Sequence, residues 1–201
     1  MKDIIFTLRD DLKEKLPPSR FEHTISVSFI CTALAMRYGC DLDKAELAGL
    51  LHDCAKLYRD QEIVIKCQKQ NISLTEDELK APMVLHAKYG AWLAKHKYNI
   101  EDEEVLNAVR WHTTGRPEMS ALEKIVFTAD YIEPRRDKAE DLSFIRPLAF
   151  VDLDECVYQI LKGTLDYLKN KGCFVDSMSE KAYAYYNRIH EEAPFGHTYM
   201  P

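Results

Sequence analysis

The apolar positions of this chain recur at helical intervals almost from end to end. Ile4, Ile5, Leu8, Leu12 and Leu16 repeat every three or four residues, and Pro17-Pro18 stops that run. Ser19 reads as the cap of a second helix, whose apolar positions Phe21, Ile25, Phe29, Ala33 and Met36 keep the period as far as Gly39, with His23 among them. Asp43 is expected to cap a third helix carrying His52 and Asp53. A short helix is expected from Asp60 to about Lys69, ending near Asn71, and another beginning near Thr75. Pro82 suits the first turn of a helix that carries His86 and runs to about Lys97. Glu101-Asp102-Glu103-Glu104 supplies an acidic first turn for a helix reaching Trp111-His112. Thr113-Thr114-Gly115-Arg116-Pro117 reads as loop, Ser120 with Glu123 as the capping box of a helix holding Asp130, and Pro134 as its end. Asp152 to Lys171 and Ser179 to about Glu191 form the last two long helices, joined around Gly172. No run sustains the alternation of a strand, and no repeat, low-complexity tract or linker divides the chain. The expectation is an all-α fold, residues 1–201 forming a single helical bundle with C-terminal helices over 152–191.

Composition narrows the function without naming it. The chain has 201 residues, 46% hydrophobic and 30% charged, the balance of an ordinary globular protein whose function resides in local sites. At this length roughly 70% of the unfolded surface can be buried. A formal net charge of -6 argues against a general nucleic-acid binder, which needs many phosphate contacts from Lys and Arg, but leaves room for a small anionic ligand in a locally basic cleft. The segment Met1 to Asp11 is charged and amphipathic, with no apolar stretch long enough for a signal peptide or membrane span, so a cytoplasmic protein with no membrane partner is expected. Cys31, Cys40, Cys54, Cys67, Cys156 and Cys173 are scattered without a CxxC pair and read as free thiols.

The chemistry concentrates on a few polar residues inside apolar helices. In Leu50-Leu51-His52-Asp53-Cys54-Ala55-Lys56 an imidazole and a carboxylate stand side by side, and burying both calls for a partner such as a divalent cation. His23, His52, His86 and His112 fall singly on separate helices, with Asp53 and Asp130 as acidic candidates for a shared centre, and side chains from several helices can converge in a bundle core. Each histidine alone is as easily a satisfied core or surface residue; the set is harder to dismiss. Arg20 lies three residues before His23, and Lys56 lies four after His52 and three after Asp53, so both can share a face with a ligand candidate and meet phosphate. Arg135 and Arg136 follow Asp130, and Arg116 follows His112. Most Lys and Arg are solvated surface charges, but position singles out Arg20, Lys56 and Arg136; Lys88, two residues from His86, is weaker. Trp111 and the Tyr183, Tyr185 and Tyr186 cluster read as core rather than as base-stacking groups.

The order H…HD…H…H…D resembles the HD superfamily of metal-dependent phosphohydrolases. Arg20-Phe21-Glu22-His23-Thr24, Leu51-His52-Asp53-Cys54-Ala55-Lys56, His86-Ala87-Lys88-Tyr89-Gly90-Ala91, Ala108-Val109-Arg110-Trp111-His112-Thr113-Thr114-Gly115 and Ile125-Val126-Phe127-Thr128-Ala129-Asp130-Tyr131-Ile132-Glu133-Pro134-Arg135-Arg136 are similar to its YqeK-type branch. These stretches span residues 20–136. The resemblance implies an all-helical HD domain that splits diadenosine tetraphosphate symmetrically into two ADP, with iron at the site.

It also implies that His23, His52, Asp53 and Asp130 are the metal ligands. Two imidazoles and two carboxylates suit Fe, with Mn, Co or Ni as substitutes, better than an oxygen-preferring Mg or a thiolate zinc site. One ion is favoured, and a water acidified by it can attack phosphorus near neutral pH. Arg20, Lys56, His86, His112 and Arg136 are the expected substrate contacts, with Asp53, Lys56, His86 and His112 at the reaction itself. His86 and His112 either hold a second metal or touch phosphate and protonate the leaving group; the second role is preferred because an imidazole suits acid catalysis near pH 7. Glu22 remains open as an outer group behind His23, and residues 173–178 are expected to help bind nucleotide by resemblance. The expected partner is a dinucleoside polyphosphate or nucleoside diphosphate, and a homodimer is left open. The alternatives are another HD nucleotide phosphohydrolase, such as a nucleotidase or deoxynucleoside triphosphatase, and a metal- and nucleotide-binding module without turnover.

Overall fold

The ends of the helices, more than their middles, decide where the polar groups go. The computed structural model describes residues 2–137, 139 and 141–192. Among these residues lie eleven α-helices and no strand: α1 (Lys2–Lys15), α2 (Pro18–Tyr38), α3 (Leu42–Leu51), α4 (Asp60–Lys69), α5 (Glu76–Lys80), α6 (Leu85–His96), α7 (Glu103–Trp111), α8 (Ala121–Ile132), α9 (Leu142–Leu148), α10 (Leu153–Asn170) and α11 (Ser177–Glu192). A 3-10 turn, Pro82–Val84, leads into α6.

Capping residues start most of them. Thr75 and Ser120 form capping boxes with Glu78 and Glu123, while the carboxylates of Asp102 and Asp152 accept the free N–H groups of α7 and α10. Two starts differ from expectation. Asp41, not Asp43, caps α3 by accepting the Lys44 N–H at 2.9 Å, which leaves Asp43 in the first turn facing the helix dipole. Pro17 occupies the position expected for Ser19, because Pro18 opens α2 where a missing N–H costs nothing. Gly39, at φ 69°, closes α2 in the left-handed region that favours glycine.

Two further differences bear on the site. α3 ends at Leu51, so His52 and Asp53 lie beyond the helix in tight turns closed by bonds from Cys54, Lys56 and Tyr58 N–H to the carbonyls three residues earlier. The helix α9 lies in the region after Pro134, where no element is expected. It is short and contains Pro147, but Leu142, Ile145 and Leu148 are buried at three-residue spacing. α11 begins two residues before the expected Ser179.

α2, α3, α7 and α8 pack on one another, α6 lies against α7 and α3, and α10 covers α8 while carrying α9 and α11. Their shared core includes Val27, Leu34, Leu50, Leu51, Val109, Ile125, Val126 and Ile160. α3 approaches α2 at Gly49, where an added Cβ would stand 2.7 Å from the Ser28 Cα and 3.0 Å from the Cys31 Sγ. Gly49→Ala is therefore expected to cost about 1–3 kcal/mol by overpacking. Denaturant unfolding checks this, and a loss below about 0.5 kcal/mol, the size of an ordinary surface change, would contradict it. All six cysteines are free, as their scatter suggests. No helix of the described residues is long and apolar enough to cross a membrane.

Candidate metal and phosphate site

Four histidines meet in the space between α2, α3, α6, α7 and α8, and the backbone decides which ring nitrogen each one presents. His52 follows the end of α3, His112 follows the end of α7, and His86 sits in the first turn of α6. Each donates Nδ1–H to the carbonyl three residues earlier: Gly49 at 2.7 Å, Val109 at 2.7 Å and Met83 at 2.6 Å. Carbonyls near helix ends have no onward partner in the ladder, so a ring folded back on them satisfies both groups. A carbonyl can only accept, so the proton is on Nδ1 and Nε2 carries a bare lone pair. His23 reaches the same state through a carboxylate, its Nδ1 lying 3.2 Å from Glu133 Oε1.

All four Nε2 atoms turn inward. His23 and His52 Nε2 are 3.3 Å apart, and His86 and His112 Nε2 are 3.1 Å apart. Two facing lone pairs repel unless a cation or proton lies between them. The carboxylates stand among them: Asp130 Oδ1 is 3.2 Å from His23 Nε2 and 3.9 Å from His52 Nε2, while Asp53 Oδ2 is 3.8 and 3.6 Å from the same two atoms. Donors bound about 2.1 Å from a common ion stand roughly 3–4 Å apart, so His23, His52 and Asp130 are spaced to hold one divalent cation, and Asp53 lies at the same spacing from the two imidazoles and groups as well with His52 and His112. The other oxygen of Asp53 faces away, 3.3 Å from His86 Nε2 and 3.6 Å from His112 Nε2. No cysteine takes part; the Cys54 Sγ beside Asp53 is spent on the Gly90 carbonyl.

Burial and mutual charge tune these groups. His52 is fully buried, and desolvation pushes it down to about 4. Desolvation and the neighbouring His112 take His86 down to about 3, so it is neutral at physiological pH. Burial alone would lower His23 as well, but Asp130, Glu133 and Asp53 outweigh it and raise its pKa. Burial alone would raise Asp53 and Asp130; the imidazoles, and Arg136 in the case of Asp130, instead hold both well below the usual carboxylate range.

A 350 Å³ cavity opens over this cluster, lined by Arg20, His23, Asp53, Lys56, His86, Thr113, Asp130 and Arg136. All three basic residues singled out by position are therefore present. Lys56 arrives through the turns after α3 rather than along a helix face. Arg20 Nη1 bonds Asp53 Oδ2 at 2.7 Å, and Arg136 Nη2 bonds Asp130 Oδ1 at 2.7 Å, so each guanidinium orients a candidate ligand as well as facing the cavity. Arg136→Ala is expected to leave one metal per chain but raise KM for an anionic substrate by about 10–150-fold, since a charge-assisted hydrogen bond is worth about 1.5–3 kcal/mol. Steady-state kinetics with metal analysis checks this, and an unchanged KM would contradict it.

Other candidates are held in ion pairs or in the core. Lys88 pairs with Glu78 at 2.8 Å, Arg116 with Glu123 at 2.8 Å, and Arg135 with Glu22 at 2.7 Å, while the carboxylate at His23 Nδ1 is that of Glu133. Tyr186 is buried and its hydroxyl accepts the Met119 N–H. Two residues escape sequence reasoning. Thr113 Oγ1 lies 3.1 Å from both His86 and His112 Nε2, though its place directly after His112 was a clue. Glu133 is three residues from Asp130, but only the fold shows it reaching His23.

Residues 20–135 match the HD domain family. The chain is 42% identical over 175 residues to a symmetrical bis(5'-nucleosyl)-tetraphosphatase of Halalkalibacterium halodurans, covering 84% of this chain and 90% of that one. It is 37% identical over 170 residues to the enzyme of that name from Bacillus subtilis, covering 83% of this chain and 89% of the relative. Among solved structures, an HD superfamily hydrolase from Clostridium acetobutylicum, described as involved in NAD metabolism, superposes with a TM-score of 0.88 at 36% identity, covering 91% of this chain and 96% of that one. Matched over residues 20–135 in sequence and over nearly its whole length in structure, the chain belongs to the HD domain family.

Proposed function

We propose that this protein hydrolyses diadenosine tetraphosphate symmetrically to two ADP, using water activated on a divalent ion held by His23, His52, Asp53 and Asp130. The observation that carries the reading is the convergence of bare imidazole nitrogens and two carboxylates beneath a cavity lined by Arg20, Lys56 and Arg136. Relatives named for this reaction, similar over most of their length, support the substrate. The donor set suits iron, with Mn, Co or Ni able to substitute. When bound, the ion acidifies water and draws charge from the phosphoryl oxygens.

The protein's own groups do the rest. Arg20, Lys56 and Arg136 neutralise the polyphosphate and hold the central anhydride over the ligands. Water adds to one inner phosphorus, the bridging bond breaks, and the departing ADP oxygen takes a proton from His86 or His112. His86 is neutral before substrate arrives, its one ring proton on Nδ1; the approaching phosphate charge raises the proton affinity of the bare Nε2, which takes up the proton given up by the attacking water and passes it to the departing oxygen. Thr113 positions the pair through its hydroxyl. A second cavity of 280 Å³ is lined by Trp111, Lys88 and Thr114 and by Asp176, Ser177 and Met178 before and at the start of α11. We assign it to a nucleoside end of the substrate, in keeping with the expectation for residues 173–178. Residues 1–201 are taken as one HD-type domain working in the cytoplasm.

One observation favours a second reading, in which His86 and His112 with Asp53 would hold a second ion: the two oxygens of Asp53 face the two histidine pairs separately. Anaerobic incubation with ferrous iron tests the main proposal. Diadenosine tetraphosphate should yield ADP as the sole nucleotide product, whereas preferred hydrolysis of nucleoside monophosphates or deoxynucleoside triphosphates would point to another HD activity.

A further inference from the structure

We infer that Glu133 is a positioning residue for the metal site, holding the His23 imidazole with Nε2 toward the centre and strengthening it as a donor through its charge. The inference rests on the proposed role of His23 as a ligand. Its starting point is a contrast among the four histidines. His52, His86 and His112 anchor Nδ1 on their own chain, three residues back, at helix boundaries. His23 lies inside α2, where the carbonyls of Ser19 and Arg20 belong to the helical ladder and cannot serve it. Its Nδ1 partner comes from 110 residues away, the carboxylate of Glu133 just past the end of α8.

That carboxylate is built in place. Glu133 is 2% exposed, and its second oxygen accepts the Arg135 N–H at 2.9 Å. Arg146 of α9 fixes the surrounding turn, donating to the carbonyls of Ile132, Glu133 and Arg136 at 2.9, 3.0 and 2.8 Å. Asp130 and Glu133 thus approach His23 from the two ends of one turn, Asp130 at Nε2 and Glu133 at Nδ1. A carboxylate behind a ligating imidazole fixes its tautomer and raises its basicity, and losing such a partner costs about 10–100-fold in metal affinity. A neutral carbonyl, the partner of the other three, fixes the tautomer too but lacks the full negative charge that strengthens the donor most. His23 is consequently the histidine whose donor strength depends on a distant charge.

Cobalt titration of the metal-free full-length protein tests this, read as Co²⁺ affinity and as the visible absorption of bound Co²⁺. Glu133→Ala should weaken Co²⁺ binding at least tenfold and alter the spectrum. Glu133→Gln, which keeps an acceptor but not the charge, should fall between Ala and wild type. The loss from Glu133→Ala should vanish in a His23→Ala background, because a coupling energy isolates the contact between the two. A role confined to shaping the 132–136 turn predicts instead the same loss in both backgrounds, which would overturn the inference. Wild-type Co²⁺ affinity in a Glu133→Ala or Glu133→Gln protein that keeps the wild-type melting temperature would overturn it too. Failure of the wild type itself to take up Co²⁺ would overturn the metal reading, and this inference with it.

Discussion

Replacing His52 or Asp53 with alanine is expected to remove metal and activity together while leaving a helical protein. His52 stands with His23 and Asp130, and Asp53 with His52 and His112, in groups of donors close enough to hold an ion, and the two are adjacent in one turn. Asp53 carries more. Its Oδ2 faces His23 and His52, takes Arg20, and its Oδ1 faces His86 and His112, so Asp53→Ala opens both halves of the cluster at once. Turnover should fall to background in either variant. Elemental analysis beside circular dichroism is the check, and full metal occupancy in either variant would remove these residues from the coordination shell.

The second large effect is expected at His86 and His112. If they serve phosphate and the leaving group, glutamine at either position preserves one metal per chain and lowers kcat, since the amide still hydrogen-bonds but cannot deliver a proton. A general acid typically contributes about 10²–10⁴-fold. A second-ion role predicts otherwise: two ions in the wild type, and a lower count alongside lost activity in either variant. Metal stoichiometry of the three proteins, measured with single-turnover rates, separates the two; two tightly held ions in the wild type would contradict the acid role.

The helices were legible because their signals are local. Apolar spacing, the Thr75 and Ser120 starts and the prolines at 17, 18, 82 and 134 act within one or two turns, and the structure follows them. The misplaced caps show how nearby candidates compete. Asp41 and Asp43 are both acceptable, and extended backbone at φ -64° and ψ 121° selects Asp41. α9 escaped because three apolar residues around a proline make a weak period; its contacts to the α8 end and α10 hold it.

The site was legible in its residue types and not in its geometry. Arg20, His23, Asp53, Lys56, His86, Asp130 and Arg136 line one cavity, and His52 and His112 stand against its histidines. Placing His52 and Asp53 on a helix was wrong because apolar neighbours extend the pattern past the true end at Leu51. That end matters, since it frees the Gly49 carbonyl to aim the His52 ring. Glu133 could not be found from spacing, because its link to His23 joins distant segments and nothing near either residue signals it.

The central claim is that water attacks an inner phosphorus so that the substrate divides at its midpoint. Hydrolysis of diadenosine tetraphosphate in ¹⁸O-labelled water, under anaerobic conditions with ferrous iron, tests it most directly by mass spectrometry of the products. ADP alone is expected, half of its molecules carrying a single ¹⁸O on the terminal phosphate; AMP with ATP, or ADP without label, would contradict the account.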